Sequence, residues 1–161
     1  MIGNDVIDLQ AARKESNWKR KGFLEKIFTA DERGFIASSA DPELTVWILW
    51  SMKEAAYKIY NRDRGLRAYI PHLLVCEVNH FYDGTVTIEH YKYHTKTIVE
   101  NDAIHTIAVY NVNDFIKVSE VPASEVLKDD NGLPYINSYE LSLPISVSHH
   151  GRFQHIIGIL Q

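Results

Sequence analysis

A carboxylate and an ammonium stand one helical turn apart in the stretch Trp50-Ser51-Met52-Lys53-Glu54-Ala55-Ala56-Tyr57-Lys58. At a spacing of four, Glu54 and Lys58 share one helix face, and two readings are open for them. One is a solvated pair worth about 0.2–0.5 kcal/mol; the other is an acid and a cation held at the edge of a reaction site. Two further groups could do chemistry. Asp5 and Asp8 fall in the opening Met1-Ile2-Gly3-Asn4-Asp5-Val6-Ile7-Asp8-Leu9, a branched, strand-like run that bends into a turn or helix. Carboxylates near a strand end make oxygen ligands for a hard divalent cation, although Asp-x-x-Asp by itself does not specify one. Near the other end, Ser146-Val147-Ser148-His149-His150-Gly151-Arg152 offers hydroxyls, imidazoles, backbone amides and a guanidinium within a few residues. That set suits phosphate, and it equally suits a polar turn between two buried strands.

These groups need elements to position them. Asp41 as cap, Pro42 at the first helical position and Glu43 against the dipole start a helix that is expected to run to about Tyr60. Leu44, Ile48, Met52, Ala55, Ala56 and Ile59 form its core face. Trp47, Trp50, Ser51, Glu54 and Lys58 share the neighbouring stripe, at the border of core and solvent. Upstream, residues 11–34 read as one or two helices, with Phe23, Ile27 and Phe28 at helical spacing. Thr29-Ala30-Asp31-Glu32 forms a capping box, so Glu32 is either the capping glutamate or a group turned toward the metal site. Downstream, Asn61 to Arg67 reads as a polar loop whose arginines face phosphates. The period then changes to two: Leu73–Val78, Thr85–Tyr93, Lys96–Val99 and His105–Val112 are expected as antiparallel strands, with turns at Tyr82-Asp83-Gly84 and Glu100-Asn101-Asp102. His72, His80, His90, His94 and His105 in this region match no zinc spacing. Val121-Pro122 opens a second loop region, Asp129 to Pro134 is a turn, and Ile156 to Leu160 is a closing strand.

A chain of 161 residues with 45% hydrophobic and 24% charged residues fits one globular domain with a real core. No apolar run is long enough to cross a bilayer, and the polar start lacks a signal-peptide pattern, so no membrane association and a cytoplasmic location are expected. Cys76 is the single cysteine. It excludes an internal disulfide and sits in an apolar strand, away from redox chemistry. The net charge of −4 argues against nucleic-acid binding. Between Arg13 and Lys26, however, Arg13, Lys14, Lys19, Arg20, Lys21 and Lys26 are opposed only by Glu15 and Glu25. This segment is either a solvated face or a surface for an acidic partner or nucleotide phosphates.

Taken together, Gly3-x-Asp5-x-x-Asp8, Phe28-Thr29-x-x-Glu32, Trp50-x-x-Lys53-Glu54-Ala55-x-x-Lys58 and Ser146-x-Ser148-His149 resemble, in order and spacing, the 4'-phosphopantetheinyl transferases. The similarity is greatest to the single-unit holo-acyl-carrier-protein synthase type. Asn131-Gly132-Leu133-Pro134 resembles a Gly-Lys-Pro turn of the family, with Leu133 in place of lysine. The motifs cover about a third of the chain, and residues of about 70–120 look like a β-rich insertion.

The resemblance implies an α+β fold, a long helix packed on a small antiparallel sheet within one domain of residues 1–161. It implies transfer of 4'-phosphopantetheine from coenzyme A to a serine of an apo acyl or peptidyl carrier protein, dependent on Mg2+, with release of adenosine 3',5'-bisphosphate. Asp5 and Glu54 would be the magnesium ligands and Asp8 a second acid near the metal. Lys58 would lie beside the phosphates, Ser148 and His149 would grip coenzyme A phosphates, and Arg152 belongs to the same phosphate-binding strand end. Glu54, Glu32 or a metal-bound water would be the base for the serine. Acyl carrier protein, as in fatty acid biosynthesis, would meet the basic stretch. With one copy of each motif, the chain is expected to self-associate, a trimer being common in the family. A non-catalytic coenzyme A- or nucleotide-binding module, and a partner-binding subunit working through the β-rich region, are the alternatives.

Overall fold

The structure is a computed structural model that describes residues 1–65, 69–79, 82–138 and 141–160. Its centre is β1 (Ile2–Asp8), whose side chains are buried on both faces apart from a partly exposed Asp5. That burial explains the branched, nearly continuous apolar run. The chain turns from β1 directly into α1 (Leu9–Glu15), capped by Asp8, then passes through α2 (Phe23–Ile27) and α3 (Ala30–Ser38). The capping box at Thr29 and Glu32 is present in full. The long helix α4 (Pro42–Arg64) starts on the Asp41 cap with Pro42 in its first turn. It runs one turn beyond the expected end at Tyr60, so Asn61 to Arg64 are helical and not a loop. Arg62 donates to the Pro134 carbonyl at 3.1 Å and Arg64 to the Tyr91 hydroxyl at 3.1 Å. Arg67, expected to face phosphate, lies outside the described residues, as does His80.

Among the described residues, ten strands form two antiparallel sheets. The first has the order β1-β5-β4-β3-β2, with β2 (Val75–Val78), β3 (Gly84–Ile88), β4 (Tyr91–Glu100) and β5 (Ala103–Val109). The expected strand from Thr85 to Tyr93 is two strands, broken at Glu89, where φ is 53°. Lys96–Val99 is the end of the second of them. Glu-His is not a usual turn dipeptide, so the composition of this hairpin hides it. The stretch expected as an insertion is woven into the centre: β5 pairs with β1 along all seven residues, from Ile2 opposite Val109 to Asp8 opposite Ala103. The second sheet has the order β6-β10-β9-β8-β7, with β6 (Val118–Glu120), β7 (Leu127–Lys128), β8 (Pro134–Ser138), β9 (Leu141–His150) and β10 (Phe153–Ile159).

Helix α4 packs across the first sheet and buries Ile48, Met52, Ala55, Ala56 and Ile59 as expected. The larger of these side chains contribute roughly 1.5–3 kcal/mol each. A smaller apolar cluster, Val121, Ile136, Ile145 and Ile156, holds the second sheet together. The two sheets meet where β1 runs beside β9, and side chains take the place of ladder bonds there. The Asn4 amide donates to Ser146 Oγ at 2.9 Å, and the Asp8 amide donates to His150 Nδ1 at 3.0 Å.

Candidate active site

The first motif is explained by close approach. A Cβ at Gly3 would run into the Ala55 carbonyl of α4, so only glycine lets β1 cross the helix this closely. Two residues on, with the same side of the strand facing the helix, Asp5 reaches Glu54 and Lys58. Asp5 and Glu54 line a cleft of about 270 Å3, together with Phe23, Trp47, Trp50 and His149. A larger opening of about 590 Å3 lies at the far end of α4, between Arg62 and Lys128. It contains none of Asp5, Glu54, Lys58 or His149, so its size does not make it the reaction site.

The electrostatics of the cleft are those of an incomplete site. Burial pushes the Asp5 carboxyl up to about 7, with Lys58 opposing and Glu54 adding to the rise. Burial also raises Glu54, against the pull of nearby Tyr69 and Lys58, and lowers Lys58 against the pull of Asp5 and Glu54. Asp5 Oδ2 is buried without a hydrogen-bond partner. Two carboxylates converging in an apolar, half-closed cleft repel each other unless a proton or a cation lies between them. Among the described residues no three His, Cys, Asp or Glu side chains gather as metal ligands. Magnesium, which is usually held by one or two carboxylates with substrate and water completing the shell, fits the pair.

Lys58 does not form an ion pair with Glu54. Its Nζ donates to the Asn4 carbonyl at 2.6 Å and the Val147 carbonyl at 3.1 Å, clamping β1 to β9. The simple salt bridge that the spacing allows is therefore absent, and the ammonium sits at the sheet junction beside the carboxylates.

Asp8 and Arg152, expected at the metal and at phosphate, are committed to each other. The guanidinium donates to both carboxylate oxygens at 2.8 Å, and the Arg152 amide adds a bond at 3.0 Å. Asp8 also accepts the Gln10 and Ala11 amides as the cap of α1. The Arg152 guanidinium holds the Asp8 carboxyl well below the usual carboxylate range. Both Asp8 oxygens thus accept hydrogen bonds from α1 and from Arg152. Gly151, at φ 53°, has no room for a Cβ beside Asp8, which is why the tight turn after His150 needs glycine.

Of the other expected residues, His149 is exposed on the cleft wall, whereas Ser148 is buried with its hydroxyl unpartnered. Glu32 is not turned to the cleft. Its Oε2 accepts from the Thr29 amide and Lys53 Nζ, both at 2.8 Å, and its Oε1 accepts the Cys76 amide at 2.7 Å. Cys76 is buried, and burial raises its thiol. His105 stacks on His155 at 3.8 Å and is lowered to about 4, chiefly by burial. Three participants take roles that the sequence reading did not assign them. Lys53 is fully buried as the partner of Glu32, His150 accepts the Asp8 amide and lines the cleft, and Tyr69 lies against Glu54. Lys53 and His150 do fall inside recognised motifs. No local pattern marks Tyr69.

Comparison with known proteins bears on the family and the fold. A family model described as 4'-phosphopantetheinyl transferase superfamily matches residues 1–115, and so includes the strands β2 to β5. A holo-[acyl-carrier-protein] synthase of Chlamydia muridarum (strain MoPn / Nigg) is 31% identical over 64 residues, which are 40% of this chain and 51% of that protein. The chain thus spans about half the length of the curated relative it matches. The apo-ACPS structure of Chronobacterium ammoiniagenes superposes with a TM-score of 0.54 at 12% identity, covering 67% of this chain and 93% of the other. The holo-[acyl-carrier-protein] synthase of Thermotoga maritima gives 0.54 at 16% identity, covering 88% and 83%, and that of Neisseria meningitidis gives 0.51 at 13%, covering 68% and 96%. At such identities the structures establish the shared α+β fold alone. With a family model matching more than two thirds of its length, the chain belongs to the 4'-phosphopantetheinyl transferase superfamily.

Proposed function

We propose that the protein transfers 4'-phosphopantetheine from coenzyme A to a serine hydroxyl of an apo acyl or peptidyl carrier protein, with Mg2+ as the cation. The observation that carries this reading is the convergence of Asp5 and Glu54, with Lys58 beside them, in a cleft of the family's fold. The serine oxygen forms a bond to phosphorus as the pyrophosphate bond breaks, and adenosine 3',5'-bisphosphate leaves. Magnesium held by Asp5 and Glu54 would supply charge neutralisation at the two phosphates. Lys58 sits where an ammonium stabilises the same developing charge. To do so it exchanges one of its carbonyl contacts for a phosphate oxygen. His149, exposed on the wall, is placed to bind an outer phosphate of coenzyme A. Glu54 or water at the cleft mouth accepts the serine proton.

The position of the basic segment supports a carrier partner. Arg13, Lys14, Lys19, Arg20, Lys21 and Lys26 are exposed, and Ala12, Ser16 and Phe23 of the same segment line the cleft. An acidic carrier docking there would present its serine to Glu54, with salt-sensitive association. Self-association of the chain, expected from its single copy of each motif, remains part of this reading. No helix among the described residues is long and apolar enough to cross a membrane, and the reading keeps the cytoplasmic location expected from the sequence.

The experiment is incubation with coenzyme A, Mg2+ and an apo carrier, followed by weighing the carrier. A gain of one phosphopantetheine group is expected, and no gain with any of several carriers overturns the reading. Because Lys58 is bound to two carbonyls, a non-catalytic coenzyme A-binding module is the second reading. It predicts coenzyme A binding with no carrier modified.

A further inference from the structure

Tyr69 stands over the turn of α4 that projects Glu54. Its ring lies 4.7 Å from Tyr57 and 6.3 Å from Trp50, edge-on to both. Those two residues are three after and four before Glu54, so they flank it on the same helix face. The segment that carries Tyr69 is tied down just beyond it, where Lys53 Nζ donates to the carbonyls of Pro71 and Leu74. The Tyr69 hydroxyl is buried and, among the described residues, has no hydrogen-bond partner of ordinary geometry. Packing does not explain it, because phenylalanine would fill the same space without burying a hydroxyl. A phenol, with an ordinary pKa of about 10, is protonated at neutral pH and so offers a donor.

We propose that Tyr69 is a positioning residue for the cation site, its hydroxyl donating to Glu54 so that one carboxylate oxygen is held toward Asp5 and the cleft. This rests on the assignment of Asp5 and Glu54 as metal ligands. Groups that orient a ligating carboxylate typically affect metal affinity or activity by about 10–100-fold. Tyr69 is well suited to that role, since its own orientation is set by two aromatic neighbours on the helix that bears Glu54.

Binding of Mn2+ to the full chain, followed by electron paramagnetic resonance, tests the role without turnover. Tyr69→Phe keeps the ring. It is expected to keep the melting temperature while weakening Mn2+ binding by about 10–100-fold. Unchanged Mn2+ affinity in Tyr69→Phe overturns the proposal. Glu54→Gln separates this failure from that of the underlying assignment: if Glu54→Gln binds Mn2+ as well as the unaltered chain, Glu54 is not a ligand, whatever Tyr69 does. Should Tyr69→Phe fold poorly, 3-fluorotyrosine at position 69 gives an independent reading. Its fluorine resonance is expected to shift on adding Mg2+, and Glu54→Gln is expected to remove the shift. No shift in a chain that binds Mg2+ overturns the proposal.

Discussion

Two lysines five residues apart on α4 stand in opposite surroundings. Lys53 is wholly buried, its side chain 0% exposed and that of its partner Glu32 3%. Each of its bonds ends on a fixed acceptor, Glu32 and the carbonyls of Pro71 and Leu74. Lys58 is only partly buried, holds two backbone carbonyls, and leaves the carboxylates of Asp5 and Glu54 without a cation bonded to them. The first arrangement is closed, because donors and acceptors balance and nothing further can enter. The second is open, because two acids face a cleft with charge to spare. A buried ion pair is not evidence of function. The site is where the accounting does not close.

The largest effect expected from this contrast is on turnover. Glu54→Ala is expected to abolish carrier modification while the far-ultraviolet circular dichroism spectrum stays that of the folded chain, since α4 is held in place by its apolar face and by Lys53 rather than by Glu54. Unchanged turnover would remove Glu54 from the site.

Lys53→Ala should do the reverse, acting on stability first. It leaves Glu32 buried without its counter-charge, a loss of about 3–5 kcal/mol in urea unfolding. A loss under 1 kcal/mol would show that the pair is not the staple between α3, α4 and the start of β2.

The smallest effects separate the two aspartates of β1 by pH, in metal-free buffer. Folded Asp5 holds its proton up to about 7 against an ordinary 3.8. The folded state therefore binds more protons between those values, and stability falls as pH rises through that window. Asp5→Asn is expected to be more stable than the unaltered chain at pH 8, by at most about 4 kcal/mol, with no gain below pH about 4. Asp8 has the opposite sign. Its depressed carboxyl contributes stability that is complete above the ordinary range and lost as pH falls below it. Asp8→Asn should therefore lower the melting temperature at pH 7, with the gap closing under acid conditions. Parallel pH profiles for the two variants would contradict the contrast.

Much of this was legible in advance because it is local. The capping box from Thr29 to Glu32, the start of α4 at Asp41-Pro42, its buried face and the turn at Gly151 are each set by residues within a few positions of one another. The hairpin at Glu89 was hidden because its turn uses residues with no turn preference. The divided use of the charged groups was hidden for another reason, since their partners lie 21 to 144 residues away.

By itself, then, the sequence determined the order of the motifs, the helix that carries Glu54 and Lys58, and the face on which they stand. Tertiary structure decided which charges are consumed. It joined Glu32 to Lys53 and Asp8 to Arg152, brought β5 and β9 to either side of β1, and left Asp5 beside Glu54 without a balancing partner. Periodicity specifies the direction of a side chain but not what waits there, because that depends on which distant strand the folded chain lays alongside.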